Sequence, residues 1–253
     1  MDVAQSASPP TKTAPKLRLS AMMSGLAGWT VLLVAAFFGA QYIVSFVIIG
    51  LMQLGLPWSP TSTVNTLSFR VYVYVAMALI IGVVAWYRYR KLSFEQIGLP
   101  RLPEWSDIGL SLAGVIVYML ASTIALTLAS NIPGFSPDQA QNLGLGRLFG
   151  NDLILGFFVL VVLTPLFEEV IFRGFLYGRL RNLQFPWWVS SLAVSVLFGL
   201  AHMQWNVGVD VFFLSMVACV LREMTGSIWA GMLLHMVKNF LAFLVTFVFI
   251  QGM

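Results

Sequence analysis

Apolar residues occur in this chain as long blocks separated by short polar connections, not at the spacing of elements that face water on one side. A helix crosses the hydrocarbon core of a bilayer with about 20 apolar residues. Blocks of that kind stand at 26–54, 71–87, 108–130, 153–176, 187–203, 207–221 and 227–250, the sixth of them short and weak. They predict an all-α, polytopic transmembrane bundle of about seven spans, within a range of six to eight. The first block is longer than a crossing needs and has room to tilt or to end in an interfacial turn. Residues 1–20 contain Pro, Ser and Thr without an apolar face and read as a disordered cytoplasmic tail. The block that follows is too long for a signal-peptide core and lacks a clear cleavage site, so it reads as a retained first span of a single membrane domain over 21–253. No internal repeat divides the chain into inverted halves, which argues against one common transporter architecture.

Composition agrees. The 253 residues are 59% hydrophobic and 9% charged, with a mean hydropathy of +0.87, whereas a soluble domain carries about a quarter charged residues. The net charge of +4 resides in short connections, which points to membrane orientation and anionic lipid rather than nucleic acid. Lys12, Lys16 and Arg18 precede the first span; Arg88, Arg90, Lys91 and Arg101 follow the second. Arg179 and Arg181 follow the fourth and Arg222 the sixth, while the alternate connections hold only Arg70, near a span end, and Arg147. The positive-inside rule then places the N-terminus in the cytoplasm and, with seven spans, the C-terminus outside. The single cysteine, Cys219, has no partner for an intramolecular disulfide.

Against this background a few ionisable groups stand out, because charge at bilayer depth is costly and usually faces an interior cavity. Glu168 and Glu169 lie in the fourth block, with Arg173 four residues after the second acid. Neighbours on a helix point about 100° apart, so the two carboxylates diverge. Glu169 and Arg173 share a face and can neutralise each other, which leaves Glu168 free to act as base or acid. Pro165 removes a backbone hydrogen bond and can kink this helix. The only two histidines, His202 and His235, lie in the fifth and seventh blocks. Phe198 is one turn before His202, beside a stripe of Ser191, Ser195 and Gly199 that lets another helix approach closely. Asn239 is one turn after His235, on a face shared with Gly231. Lys238 either pairs with an acid or follows a water-filled cavity with its stem.

At 1.5 Å per residue, Glu168 falls about 12 Å inside the cytoplasmic end of its block, His235 about 12 Å and Asn239 about 18 Å into theirs, and His202 about 22 Å into its own. With tilt, the four groups can meet. One Glu, two His and an Asn supply a base for water and donors for an oxyanion. Two His and a Glu can equally hold zinc with one position open. No His-Glu-x-x-His helix and no Gly-x-Ser-x-Gly nucleophile turn is present.

Glu168-Glu169-Val-Ile-Phe-Arg173, Phe198-Gly-Leu-Ala-His202 and His235-Met-Val-Lys-Asn239, in this order on separate apolar helices, resemble the three motifs of the CPBP intramembrane protease family. That family comprises the type II CAAX prenyl endopeptidases and bacterial bacteriocin-processing or Abi-like proteins. The resemblance covers 153–250; the first three spans match as generic membrane helices. It implies an intramembrane endopeptidase of a prokaryotic cell membrane, with a site opening to the cytoplasm. Its substrate would be a membrane-associated peptide or lipidated protein, of CAAX or leader type. Carried over, Glu168 is the base that activates water, His202 assists it, and His235 and Asn239 form the oxyanion side. Glu169, Arg173 and Phe198 look like supporting residues. The resemblance favours no cofactor, with Zn²⁺ on Glu168, His202 and His235 as the alternative. A non-catalytic scaffold or self-immunity protein of the same fold, and a proton-coupled transporter, are the competing readings.

Overall fold

A computed structural model of the chain describes residues 19–59, 62–89, 93–139, 143 and 145–249. The tail expected over 1–20 lies, but for its last two residues, outside them, as do Arg90 and Lys91. The described residues form seven helices and no strand. They are α1 (Leu19–Gln53), α2 (Thr63–Tyr89), α3 (Trp105–Ala129), α4 (Asn151–Asn182), α5 (Trp187–Ala201), α6 (Trp205–Thr225) and α7 (Trp229–Phe249). A short 3₁₀ turn, Glu95–Ile97, lies between α2 and α3. Five of these (α1, α2, α3, α4 and α7) are long and apolar enough to cross a membrane. Their outward faces carry large apolar side chains such as Phe46, Leu79 and Ile116, each more than 60% exposed, as expected of surfaces solvated by lipid.

The weak sixth block becomes a 21-residue helix, α6, longer than the sequence indicates. Its modest hydropathy has a packing reason: α6 contacts α3, α5 and α7, so its polar residues find partners inside the protein. The α5–α6 approach is close, as the small-residue stripe predicts. A Cβ added to Gly199 would stand 2.8 Å from the Gly208 carbonyl oxygen, and Ser195 Oγ donates to Ser215 Oγ at 2.8 Å. On α7, a Cβ at Gly231 would come within 3.1 Å of Ala218 Cβ, again across a small-residue contact.

Pro165 does not break α4. The helix widens to π geometry over Phe158–Leu163, so that the Thr164 N–H bonds to Val159 five residues back, and Pro165 opens the α-helical turn Thr164–Glu169. A second π stretch, Val170–Leu176, follows at once. The expected kink is replaced by these wide turns, which absorb the missing donor while the helix continues.

Helix depth also differs from the sequence estimate. Because α4 runs to Asn182, Glu168 lies about 21 Å from that end, whereas His235 is about 9 Å into α7. The two still meet because α7 begins part-way down α4. The Ile228 N–H donates to the Gly98 carbonyl at 2.9 Å. Gly98, at φ +81°, is pressed between Ile228 and Gly174 of α4. From that level both Glu168 and His235 lie about 9–10 Å up their helices.

Candidate functional site

The wide turns of α4 set its two acids in different surroundings. Glu169 is fully buried, and Glu168 borders a cavity with its side chain 14% exposed. Arg173 Nη1 stands 2.9 Å from Glu169 Oε1, both side chains at 0% exposure. The four-residue pairing read from the sequence is therefore present and wholly desolvated. Its geometry is that of an ion pair rather than a directed hydrogen bond, since no guanidinium nitrogen of Arg173 meets an aligned acceptor. Instead the guanidinium lies flat over Phe198, 4.2 Å from the ring centre.

His235 stands between the acids. Its Nδ1 is 2.9 Å from Glu169 Oε1, and its Nε2 is 3.7 Å from Glu168 Oε2. A carboxylate already engaged by Arg173 accepts, so Nδ1 carries the proton and Nε2 is directed at Glu168 across a gap wider than a hydrogen bond. His202, just past the end of α5, places Nδ1 2.9 Å from the Phe198 carbonyl oxygen. A carbonyl only accepts; in the neutral ring the proton is therefore on Nδ1 and Nε2 keeps its lone pair. The Phe198 ring meets both imidazoles edge-on, at 4.9 Å from His202 and 5.9 Å from His235. Asn239 Nδ2 donates to the Leu160 carbonyl at 2.9 Å, which fixes its amide and leaves its second N–H uncommitted. All seven residues expected from the sequence thus lie together: Glu168, His202, His235, Asn239 and Phe198 line one cavity of about 940 Å³, and Glu169 and Arg173 lie beneath its floor.

The sequence reading missed two partners. Tyr74 of α2 donates its hydroxyl to Glu168 Oε1 at 2.7 Å, and its ring stacks on Phe167 at 5.5 Å. Nothing in the run around Tyr74 distinguishes it from a lipid-facing aromatic. Asp210 of α6 accepts from Tyr118 at 2.6 Å and from Ser122 at 2.5 Å, and its other oxygen is 3.4 Å from Lys238 Nζ. That signal was available: Asp210 is the one acid of the block 207–221, and the depth argument applied to Glu168 applies to it as well. Of the two readings of Lys238, the structure contains both, an acid partner and a place on the cavity wall.

The cavity extends from Phe172 and Phe198 to Asp138 and Leu143, in the α3–α4 connection, and to Met203, in the α5–α6 connection. This is the end of the bundle opposite Arg181 and Arg222. As for metal, among the described residues no group of three or more His, Cys, Asp or Glu is arranged to hold an ion.

Residues 150–241 match the model of a family described as type II CAAX prenyl endopeptidase Rce1-like, and they contain all three motifs. Over 90 residues the chain is 32% identical to an uncharacterized 24.3 kDa protein of Escherichia coli, an alignment covering 34% of this chain and 41% of that one. Over 126 residues it is 25% identical to the UPF0177 protein YxdF of Lactococcus lactis subsp. lactis (strain IL1403), covering 49% and 65% of the two chains. The chain thus spans less than two thirds of either relative. No solved structure matches it. The resemblance read from the motifs is borne out over the matched segment.

Proposed function

We propose that this integral membrane protein is an intramembrane endopeptidase that hydrolyses a peptide bond of a membrane-associated substrate with water activated by Glu168. The observation that carries the reading is the separation of the two acids: Glu169 is closed off by Arg173 and His235, and Glu168 borders the cavity beside Nε2 of His235. The family match over 150–241 supports peptidase chemistry.

In this mechanism Glu168 takes a proton from water held between it and Nε2 of His202, and the water oxygen bonds to the peptide carbonyl carbon. The carbonyl oxygen becomes an oxyanion that accepts from Nε2–H of a protonated His235 and the uncommitted N–H of Asn239. The C–N bond then breaks, and the proton on Glu168 passes to the leaving amine. Tyr74 holds the Glu168 carboxylate by its second oxygen. Glu169, Arg173 and Phe198 position His235 and His202 without touching substrate. No step passes through a metal.

The positive-inside pattern supports a cytoplasmic N-terminus, and the bacterial relatives support a prokaryotic cell membrane. The test is cleavage of a panel of membrane peptides and lipidated tails by the purified full chain and by Glu168→Gln. Cleavage abolished by that one change is expected. A chain that cleaves none of the panel leaves the scaffold reading standing, and parent-rate cleavage by the variant overturns the role of Glu168.

A further inference from the structure

Two ion pairs lie beside the site, and they are built differently. Glu169 and Arg173 stand 2.9 Å apart with both side chains at 0% exposure. Lys238 Nζ and Asp210 Oδ2 stand 3.4 Å apart, with the side chains 19% and 21% exposed. That separation exceeds the roughly 2.7–2.9 Å of a directed charge-assisted hydrogen bond. Asp210 does not depend on it, because its other oxygen accepts from the Tyr118 and Ser122 hydroxyls at 2.6 and 2.5 Å. The first pair is shut away from water; the second is loose and open.

Its open side is the cavity. Lys238 lines the wall together with Val207, Val211 and Ala242, whereas Asp210 does not line it. An ammonium carries three N–H donors, and Asp210 engages one at most. Arg70 also lines the cavity, but its guanidinium already donates to the Leu143 carbonyl. Charge at this depth is costly and marks a task. The mechanism above leaves Lys238 without one.

We propose that Lys238 is a specificity-determining residue that binds a carboxylate of the substrate close to the scissile bond. The proposal rests on the peptidase reading and adds the substrate's charge to it. Lys238 is three residues from His235, which puts their Cβ atoms about 5–6 Å apart on adjoining parts of one face. His235 and Asn239 hold the oxyanion, so the scissile carbonyl lies beside them. A peptide advances about 3.3–3.6 Å per residue, and the group that meets Lys238 therefore belongs about one to three residues from the cleaved bond. A carboxylate among the apolar side chains of this wall would be expelled without a counter-charge, which Lys238 supplies. Asp210 is the partner of the ammonium between substrates. A C-terminal carboxylate and an acidic side chain offer the same chemistry.

Binding of dansylated apolar hexapeptides to the full chain in detergent tests this, on a Glu168→Gln background so that nothing is cleaved. Three probes differ in one group: a free C-terminal carboxylate, its amide, and the amide with one internal aspartate. At least one acidic probe is expected to bind about ten- to a hundredfold more tightly than the neutral amide, and which one does identifies the source of the carboxylate. Lys238→Met keeps the stem and loses the charge, and should bring that ratio close to one; Lys238→Arg should retain most of it. Asp210→Asn removes the competing acid and should raise it. Equal affinity for the three probes, no saturable binding of any, or a preference that survives Lys238→Met overturns the proposal. Should Lys238→Met fail to elute as a folded species, Asp210→Asn decides, and a ratio no higher than the background's overturns it. Binding is independent of turnover, so a parent chain that prefers acidic probes but cleaves none refutes the peptidase reading and not the carboxylate site.

Discussion

Nδ1 of His235 and Oε1 of Glu169 stand 2.9 Å apart, on the same oxygen that Arg173 approaches from the other side. One buried carboxylate thus holds a guanidinium and an imidazole together, and the second acid of the pair is left to the cavity. The roles of the neighbouring glutamates should therefore separate by measurement. Glu168→Gln keeps shape and hydrogen bonding but loses the base, which costs about 10²–10⁴ in rate. Cleavage should collapse with an unchanged melting temperature. A folded but inactive Glu169→Gln beside a fully active Glu168→Gln would assign the base to the other acid.

Arg173→Ala strands the Glu169 charge in a site with no water access. Breaking a buried pair by removing one partner costs about 3–5 kcal/mol, and denaturation in detergent should register it as a large loss. Arg173→Lys should recover only part, because an ammonium cannot lie flat on Phe198 as the guanidinium does. Parent-like stability of Arg173→Ala would show that the pair contributes nothing to the fold.

Tyr74→Phe removes the hydroxyl that holds Glu168 and keeps the ring on Phe167. A hydrogen bond to a charged group contributes about 1.5–3 kcal/mol, so a fall in kcat of roughly ten- to a hundredfold is expected with little change in melting temperature. A variant with the parent's kcat would mean that the carboxylate is aligned by its other neighbours.

Chelation should leave activity intact. Purified chain is treated with a strong chelator, assayed, and its metal content measured. Stoichiometric zinc whose removal abolishes cleavage and whose return restores it would make Glu168, His202 and His235 ligands and overturn the reading of Glu168 as base.

The seven helices were legible because apolar block length is a direct consequence of bilayer thickness, and the motif residues because charge at that depth is rare. What escaped has equally physical reasons. Tyr74 is a single aromatic among apolar neighbours, and only the fold tells its hydroxyl from one at a lipid interface. The α6 boundaries were short by two residues at the start and four at the end, because hydropathy registers contact with lipid, and α6 is surrounded by protein. The depth of Glu168 was misjudged because nothing in the sequence says that α4 runs on to Asn182, past the level at which α7 starts against Gly98.

The wide turns on either side of Thr164–Glu169 have a consequence for how this helix can change. Each lets α4 carry extra length without passing the accumulated rotation on to the turn that bears the acids, so the phase of the two glutamates is set locally and not counted from the helix ends. A one-residue deletion between Phe158 and Leu163 can be absorbed by tightening that stretch to ordinary α geometry, with Glu168 still aimed at the cavity. The same deletion inside Thr164–Glu169 turns the flanking segments by about 100° relative to each other, and no slack there can take it up. Tolerance to length change along α4 should therefore be least in the six residues that end on the acid pair.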